Sequence, residues 1–284
     1  MKKILLTLLV IACPKAFAFG GYGHELICQM AFNALPQDQQ QTLNTIVQAL
    51  PNKEKQLLVK GHKPLTFAKA CSWPDKIKRF SKYDKYKPWH YLNTARDDQE
   101  ITTLDCKGNC VAKGIIYHQQ QFVQAKSGLK KAQALSFLGH WIADLHQPLH
   151  VSYASDLGGN RTKITYDKTL SKAKCTNLHW YWDECLVMYK NLSVEKYANV
   201  LSQDLRFDLT TPWSPELVWH WADESYHLVK SESVSYCQDK DGQCLPYKEK
   251  LVIDQAYIDQ HLPIAEQQIK RAALRLANIL AQSL

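Results

Sequence analysis

A chain of 284 residues is longer than most single domains, but it is short enough to fold around one large core. No Gly/Ser/Pro-rich linker, low-complexity tract or internal repeat divides it, which excludes an array of small repeated modules. Its formal net charge of +8 favours anionic partners without identifying any of them.

The first eighteen residues have the three parts of a secretory signal. Two lysines precede the apolar run Ile4 to Ala12, and Ala16-Phe17-Ala18 supplies the small residues of a cleavage site. Cleavage after Ala18 would remove three lysines and lower the formal charge from +8 to +5; a lipoprotein-type cleavage before Cys13 is the less favoured alternative. The sequence therefore predicts an exported protein, secreted or periplasmic, with one domain over residues 19–284. No stable membrane association is expected, because no later apolar run is long enough to span a membrane.

Apolar residues three and four apart predict eight helices in the remaining chain. They are Glu25 to Leu35, Gln39 to Leu50, Gly114 to Lys126, Lys131 to Leu145, Asn177 to Tyr189, Val194 to Leu205, Pro215 to Lys230 and Tyr257 to Leu280. Alternation typical of strands is confined to Arg161 to Tyr166 and Ser233 to Tyr236. We therefore predict an all-α, multi-helix domain with at most a small β-hairpin.

Eight cysteines remain after the predicted cleavage, and an even number in an oxidising compartment predicts disulfides. Cys106 and Cys110 are close enough in sequence to close a small loop, and so are Cys237 and Cys244. The sequence does not decide the pairing of the other four, which are Cys28, Cys71, Cys175 and Cys185.

Histidine and aspartate recur at helical spacing in two places. His140 and Asp144 are four residues apart, which places them on one face of a helix, and His179 and Asp183 repeat that spacing. A proline then ends the first helix, so His150 can turn back toward the same site. A single such pair is more often a hydrogen bond on a helix surface. Two pairs and a further histidine favour a zinc site with a coordination position left open for water.

Three further candidates lie in segments bordered by Pro or Gly. Asp75 follows a proline, and His90 is two residues beyond another. His24 follows a glycine-rich stretch that would let a free N-terminal amine approach its imidazole. Taken alone, Asp75 is more commonly a helix-start residue and His90 a core histidine. His146 is predicted to hold a ligand carboxylate or a backbone group.

In this order, the eight histidines and aspartates resemble the pattern of the S1/P1 family of zinc-dependent single-strand nucleases. The most specific stretch is Gly-His-Trp-Ile-Ala-Asp-Leu-His-Gln-Pro-Leu-His at 139–150, followed by Asp-Leu-Gly-Gly-Asn at 156–160 and Asn-Leu-His at 177–179. The resemblance runs from Phe19 to at least Asp183. It implies a helical fold like that of the zinc phospholipases C.

The resemblance also implies a cluster of three Zn²⁺ ions. The first ion would be held by Asp75, His90 and His140. Asp144 would bridge it to a second ion, which His24 and the backbone amine and carbonyl of Phe19 would hold. The third and more open ion would be held by His150, His179 and Asp183.

This chain departs from the family pattern at three positions. Phe19 stands where the family usually has Trp, but the implied ligands there are backbone atoms, so metal binding should survive. Lys78 stands where Arg is common, and its ammonium can still stabilise a developing phosphorane. Asn93 replaces an Asp and cannot act as a base. The catalytic candidates are therefore Lys78, Asp144 and Asn93, with no proton abstraction assigned to Asn93.

By the same resemblance, Tyr91 would stack on a nucleobase, and Gly159 and Asn160 would bind its edge. A packed ring and an ordinary turn are the simpler explanations. The stretch Lys76 to Trp89 interleaves cations with aromatic rings. That mixture suits phosphate neutralisation and base stacking, or equally a solvated basic loop whose rings pack on the body of the protein.

The expected activity is hydrolysis of single-stranded DNA and RNA to 5′-nucleotides, with 3′-nucleotidase activity, by a monomeric enzyme. A water shared by two zinc ions would be acidified to hydroxide and attack phosphorus in line. A zinc phospholipase C is the nearest alternative, although those enzymes typically have Glu where this chain has Asp183. A non-catalytic zinc-binding or adhesive exported protein is the alternative of a different class.

Overall fold

The computed structural model describes residues 20–61, 63–126, 128–170, 173–234, 236–240 and 243–284. The predicted signal, its cleavage site and Phe19 lie outside the described residues. The α-helices are α1 (Gly21–Asn33), α2 (Gln37–Val47), α3 (Asn52–Lys55), α4 (Phe67–Ala70), α5 (Trp73–Ile77), α6 (Val111–Gln124), α7 (Gly128–His146), α8 (Leu178–Trp180), α9 (Val194–Ser202), α10 (Glu216–Lys230) and α11 (Gln255–Ser283). The strands are β1 (Leu92–Thr94), β2 (Val151–Tyr153), β3 (Ile164–Tyr166), β4 (Cys237–Lys240), β5 (Gln243–Pro246) and β6 (Leu251–Ile253).

The predicted helical fold is confirmed, since helices dominate and the described strands form only two-stranded sheets. The expected hairpin is β4 with β5, which begins just after the predicted segment Ser233 to Tyr236. β3 lies inside the predicted segment Arg161 to Tyr166, but its parallel pairing with β6 was not predicted. The parallel pair of β1 with β2 was not predicted either, because strands of three residues are too short to show an alternating pattern.

The core is built around α7. Every residue from Ala134 to His146 is buried, as expected for a helix surrounded by others. Its neighbours are α1, α2, α5, α6, α10 and α11. His140 and Asp144 therefore lie in the interior of the molecule, where water does not compete for their side chains.

The disulfides help to fix that interior. Cys28 of α1 is bonded to Cys71, and the bond crosses α7 at Gly139. A Cβ on Gly139 would lie 2.5 Å from Sγ of Cys71 and 2.9 Å from Sγ of Cys28, so only glycine leaves room for this crossing. The segments that carry His24, Asp75 and His140 are thereby held together.

Two further disulfides are described. The predicted bond between Cys106 and Cys110 is confirmed, and Cys175 is bonded to Cys185. Cys237 is also disulfide-bonded. The side chain of Cys244 lies outside the described residues, so its pairing with Cys237 stays a prediction.

Within the described residues, no helix combines the length and the apolar character that crossing a membrane requires.

Candidate metal centre

Eight side chains from distant parts of the sequence meet beside the C-terminal half of α7. They form three groups whose nitrogen or carboxylate atoms lie within 4.8 Å of one another: His24 with Asp75 and His140; His90 with His140 and Asp144; and His150 with His179 and Asp183. Each side chain is at most 5% exposed. The structure thus brings together all eight residues that the sequence singled out.

Asp144 lies at the centre of the first two groups. Its Oδ1 is 3.3 Å from Nε2 of His24, and its Oδ2 is 2.9 Å from Nδ1 of His90. One helical turn earlier, Nε2 of His140 is 3.3 Å from the same Oδ2. The carboxylate therefore faces histidines on both sides, as a bridging group would.

The third group repeats the four-residue spacing. Nε2 of His179 is 3.4 Å from Oδ2 of Asp183, and Nε2 of His150 is 3.3 Å from Oδ1 of Asp183. His179 lies on α8, and Asp183 lies on the π-helical turn Tyr181–Cys185 that continues it. The helix predicted from Asn177 to Tyr189 is therefore α-helical only at Leu178–Trp180, with the π-helical turn after it.

Backbone carbonyls orient three of the imidazoles. Nδ1 of His140 donates to the carbonyl of Cys71 at 2.7 Å, Nδ1 of His150 to that of His90 at 2.6 Å, and Nδ1 of His179 to that of Gly158 at 2.6 Å. Because a carbonyl can only accept, each Nδ1 carries the proton and each Nε2 has a lone pair facing the centre. This is the tautomer that binds a metal ion through Nε2.

The short β1–β2 pair explains how His90 and His150 come together. Leu92 pairs with Val151 in parallel register. The residues that precede the two strands, His90 and His150, therefore lie side by side. His90 ends the 3-10 segment Ser81–His90, and His150 ends the 3-10 segment Pro148–His150. This second segment is the turn that the proline after α7 predicts.

A glycine turn holds His179. Gly158 has φ +60, and a Cβ there would collide with the carbonyl oxygen of Leu149. Buried Asp156 fixes the turn by accepting hydrogen bonds from the backbone N–H of Gly159 at 3.1 Å and from Nη2 of Arg96 at 3.0 Å. The turn in this way presents the Gly158 carbonyl to the histidine.

Burial keeps the histidines uncharged. It lowers the pKa of His24, His140 and His179 to about 4, and also lowers that of His90 and His150. These imidazoles are therefore neutral near pH 7 and able to bind a metal ion.

The aspartates differ in their surroundings. Burial raises the pKa of Asp183 to about 7, and it raises the pKa of Asp144 as well. Burial acts in the same direction on Asp75, but the ammonium of Lys78 and the nearby imidazoles outweigh it and lower its pKa to about 2. Asp183 and Asp144 thus lack a cation among the described residues that would fully offset their burial.

Several buried polar atoms have no hydrogen-bond partner among the described residues. Three of them belong to the proposed ligands: Oδ1 of Asp144, Oδ2 of Asp183 and Nε2 of His179. Leaving such an atom unsatisfied costs roughly 1–3 kcal/mol, so three in one place call for an explanation. Nitrogen and carboxylate oxygen are also the atoms that zinc binds. The residues present therefore fit a centre that holds metal ions.

The catalytic candidates lie at this centre or on elements that enter it. Nζ of Lys78 is 2.7 Å from Oδ1 of Asp75, and its charge helps to lower the pKa of His90, His140 and His179. Asn93 lies on β1, three residues after His90, and its buried Oδ1 has no hydrogen-bond partner in the described part of the chain.

The predicted base-binding residues lie next to the segments that carry His90 and His179. Tyr91, next to His90, is 40% exposed, so its ring is accessible. Gly159 belongs to the turn that holds His179, and Nδ2 of Asn160 donates to the carbonyl of Leu157 at 2.9 Å.

The structure decides between alternatives that the sequence left open. In the stretch Lys76 to Trp89, the rings of Tyr83 and Tyr86 pack on the body of the protein: Tyr83 is 8% exposed, and the ring of Tyr86 lies 4.4 Å from that of Phe137. His146 holds a backbone group rather than a carboxylate of the centre; its Nδ1 donates to the carbonyl of Ile142, and its Nε2 accepts from Arg275.

Sequence reasoning missed two supporting residues. Gln147 donates from Nε2 to Oδ1 of Asp183 at 2.6 Å, and Asp156 fixes the glycine turn. Their only signal was their place inside the two specific stretches of sequence, since nothing in a residue's type shows which atom it will face.

Residues 19–284 match the profile of the family described as S1/P1 Nuclease. Endonuclease 2 of Arabidopsis thaliana is 27% identical over 96% of this chain and 93% of its own length. Endonuclease 1 of the same plant is 28% identical over 98% and 90%, and Nuclease S1 of Aspergillus oryzae (strain ATCC 42149 / RIB 40) is 26% identical over 74% and 76%.

Proposed function

This chain belongs to the S1/P1 nuclease family, and from that premise we propose that it is an exported, zinc-dependent nuclease. Its substrates are single-stranded DNA and RNA, which it hydrolyses to 5′-nucleotides, and it also removes the phosphate from nucleoside 3′-phosphates. The observation that carries the proposal is the convergence of eight buried histidines and aspartates into three connected groups.

Three zinc ions fit these groups. Asp75, His90 and His140 would hold the first, Asp144 and His24 would contribute to the second, and His150, His179 and Asp183 would hold the third. When bound, the zinc ions supply a water acidified near neutral pH and positive charge for the phosphate oxygens. Neutral histidines with Nε2 directed inward support this assignment.

The second ion also needs the start of the mature chain. The backbone N–H of Gly20 donates to the carbonyl of Asp183 at 2.6 Å, so the described chain begins beside a residue of the centre. Phe19 would then contribute its free amine and its carbonyl. The family match begins at residue 19, which supports cleavage after Ala18 and one domain over 19–284.

The protein's own side chains complete the chemistry. Lys78 stabilises negative charge that develops on the phosphate, because its ammonium lies at the edge of the centre and is 23% exposed. The amide oxygen of Asn93 can accept a hydrogen bond in the centre but does not act as a base. Tyr91 stacks on a nucleobase, and Gly159 and Asn160 bind its edge; the accessible ring of Tyr91 supports this.

Export is supported by three disulfides, which persist in an oxidising compartment. We place the mature protein outside the cytoplasm, secreted or periplasmic, as a monomer.

Metal analysis of the mature protein, combined with N-terminal sequencing and activity assays, tests this proposal. We expect about three zinc ions per chain, a first residue Phe19, and release of 5′-nucleotides from single-stranded DNA and RNA. Exclusive release of phosphocholine from phosphatidylcholine would instead identify a phospholipase C. A zinc-loaded protein inert toward every phosphodiester would show a non-catalytic role.

A further inference from the structure

The segment between Asp75 and His90 leaves the metal centre and returns to it. Oδ1 of Asp75 and Nδ1 of His90 lie only 3.8 Å apart, although the two residues are separated by a turn and by the 3-10 segment Ser81–His90. A 3-10 helix rises about 2 Å per residue, so this segment provides roughly 20 Å of surface beside the centre. Its composition is strongly basic, with cations at Lys76, Lys78, Arg79, Lys82, Lys85 and Lys87.

The rings of this segment point into the protein. The hydroxyl of Tyr83 donates to Oε1 of buried Glu54 at 3.1 Å, and its ring meets Trp73 edge-on at 5.4 Å. The ring of Tyr86 packs on Phe137. Since the rings anchor the segment, the residues between them face outward.

The outward residues are cations. Arg79, Lys82, Lys85 and Lys87 are all exposed. The side chains of Lys82 and Lys87 remain 62% and 50% exposed although they pair with Glu54 and Asp84. Neither Arg79 nor Lys85 forms an ion pair with a carboxylate of the described residues. Arg79 and Lys85 can therefore meet phosphates without breaking the ion pairs that Lys82 and Lys87 form.

One exposed ring lies against Trp89 at the end of this segment, and it comes from α6. Tyr117 is 45% exposed, and its ring meets Trp89 edge-on at 5.3 Å, immediately before His90. Its free face is available to a base. Stacking of this kind requires a base that is not already stacked in a duplex, so the ring favours single strands.

We propose that Arg79, Lys82, Lys85 and Lys87, together with the ring of Tyr117, form a strand-binding surface for single-stranded nucleic acid. The cations bind phosphates away from the bond that is cut, and Tyr117 stacks on one base. The inference rests on the proposed nuclease function. It predicts that long single strands bind more tightly than dinucleotides, and that this difference weakens as salt concentration rises.

Steady-state kinetics of the zinc-loaded protein at several salt concentrations test the surface. The substrates are a single-stranded DNA of about 20 nucleotides and a dinucleotide with one cleavable bond. The double variant Arg79→Ala/Lys85→Ala removes two cations of the surface. Each phosphate contact on a single strand contributes about 0.7 to the slope of log KM against log salt, so for the long strand we expect the slope to fall by about 1.4.

A matched control removes one lysine and one arginine elsewhere. Lys196 lies on α9, and Arg206 lies between Leu205 and Phe207, which line a surface cavity with Asn33 at the far end of α1. Nine helical residues separate Asn33 from His24, a distance of about 14 Å. The double variant Lys196→Ala/Arg206→Ala is expected to keep the wild-type slope.

The ring is tested separately. Tyr117→Leu should raise KM for the long strand about five-fold or more relative to the dinucleotide, while Tyr189→Leu, at an equally exposed tyrosine, should not. The proposed strand-binding surface would be ruled out by an unchanged salt slope in Arg79→Ala/Lys85→Ala. Equal changes in KM for the long strand and for the dinucleotide would also rule it out. If the wild-type protein cleaves neither substrate when loaded with zinc, the proposed function itself fails.

Discussion

Gln147 donates a 2.6 Å hydrogen bond from Nε2 to Oδ1 of Asp183, and both side chains are completely buried. The other end of the amide accepts from the backbone N–H of Leu149 at 2.6 Å, which fixes which end faces the carboxylate. Gln147 therefore orients Asp183 toward the third group of the centre.

Replacing Gln147 should weaken metal binding at that group. In Gln147→Leu the new side chain has a similar volume, but the carboxylate of Asp183 loses its hydrogen-bond donor. Loss of such a partner of a metal ligand typically lowers metal affinity about 10- to 100-fold. Competition with a chelator measures the effect. Gln133→Leu, which removes a hydrogen bond to the hydroxyl of Tyr83, is the control. Equal metal affinity in the two variants would contradict the assigned role.

Lys78 should matter for turnover rather than for metal content. Lys78→Ala removes an ammonium at the edge of the centre, and we expect kcat to fall about 100-fold with the zinc content intact. Lys78→Arg should restore part of the activity, while Lys76→Ala, in the helix just before Lys78, should have little effect. Near-normal turnover in a fully zinc-loaded Lys78→Ala protein would remove Lys78 from the mechanism.

Gly158 should be irreplaceable for two reasons. Alanine would have to adopt φ +60, and its Cβ would collide with the Leu149 carbonyl that lies behind the turn. Gly158→Ala should lower the melting temperature and weaken metal binding at His179. Gly61 has φ +68 with no atom within 4 Å of a Cβ, so Gly61→Ala isolates the conformational strain of roughly 1 kcal/mol. The prediction fails if the two variants melt and bind metal alike.

His118 should make the protein sensitive to acid. Burial lowers its pKa to about 3, below the value of about 6.5 in an unfolded chain, so the unfolded chain takes up the proton first. The stabilisation is complete above pH 6.5 and is lost as the pH falls toward 3, by up to about 1.4 kcal/mol per pH unit.

Denaturant unfolding of the metal-free protein at about pH 7.5 and pH 4.5 measures this loss. His118→Phe suits the aromatic surroundings, where Phe137 lies 4.5 Å away, and should lose roughly 2–3 kcal/mol less than the wild type between the two pH values. At pH 7.5 it should be about 1 kcal/mol less stable, because the hydrogen bond from Nδ1 of His118 to the carbonyl of Gly114 is lost. His227→Phe, at an exposed histidine, should keep the wild-type pH dependence.

Local patterns in the sequence predicted the longer helices and two pairs of site residues, and the family resemblance supplied the others. The period of apolar residues predicted α7, and the four-residue spacing placed His140 with Asp144 and His179 with Asp183, because a helix fixes which side chains share a face. The same reasoning could not show how His24, Asp75 and His90 reach α7, since each arrives through short irregular segments whose shape depends on what they pack against.

Tertiary packing alone decided the rest. The basic segment before His90 could have turned its rings or its cations to solvent, and the contacts of Tyr83 with Glu54 and of Tyr86 with Phe137 settled the choice. The pairing of Cys28 with Cys71, the roles of Gln147 and Asp156, and the parallel pairing of β1 with β2 likewise join residues far apart in the chain. Such contacts form because burial excludes water and leaves each polar atom to find a partner in the fold, and a local pattern in the sequence does not identify that partner.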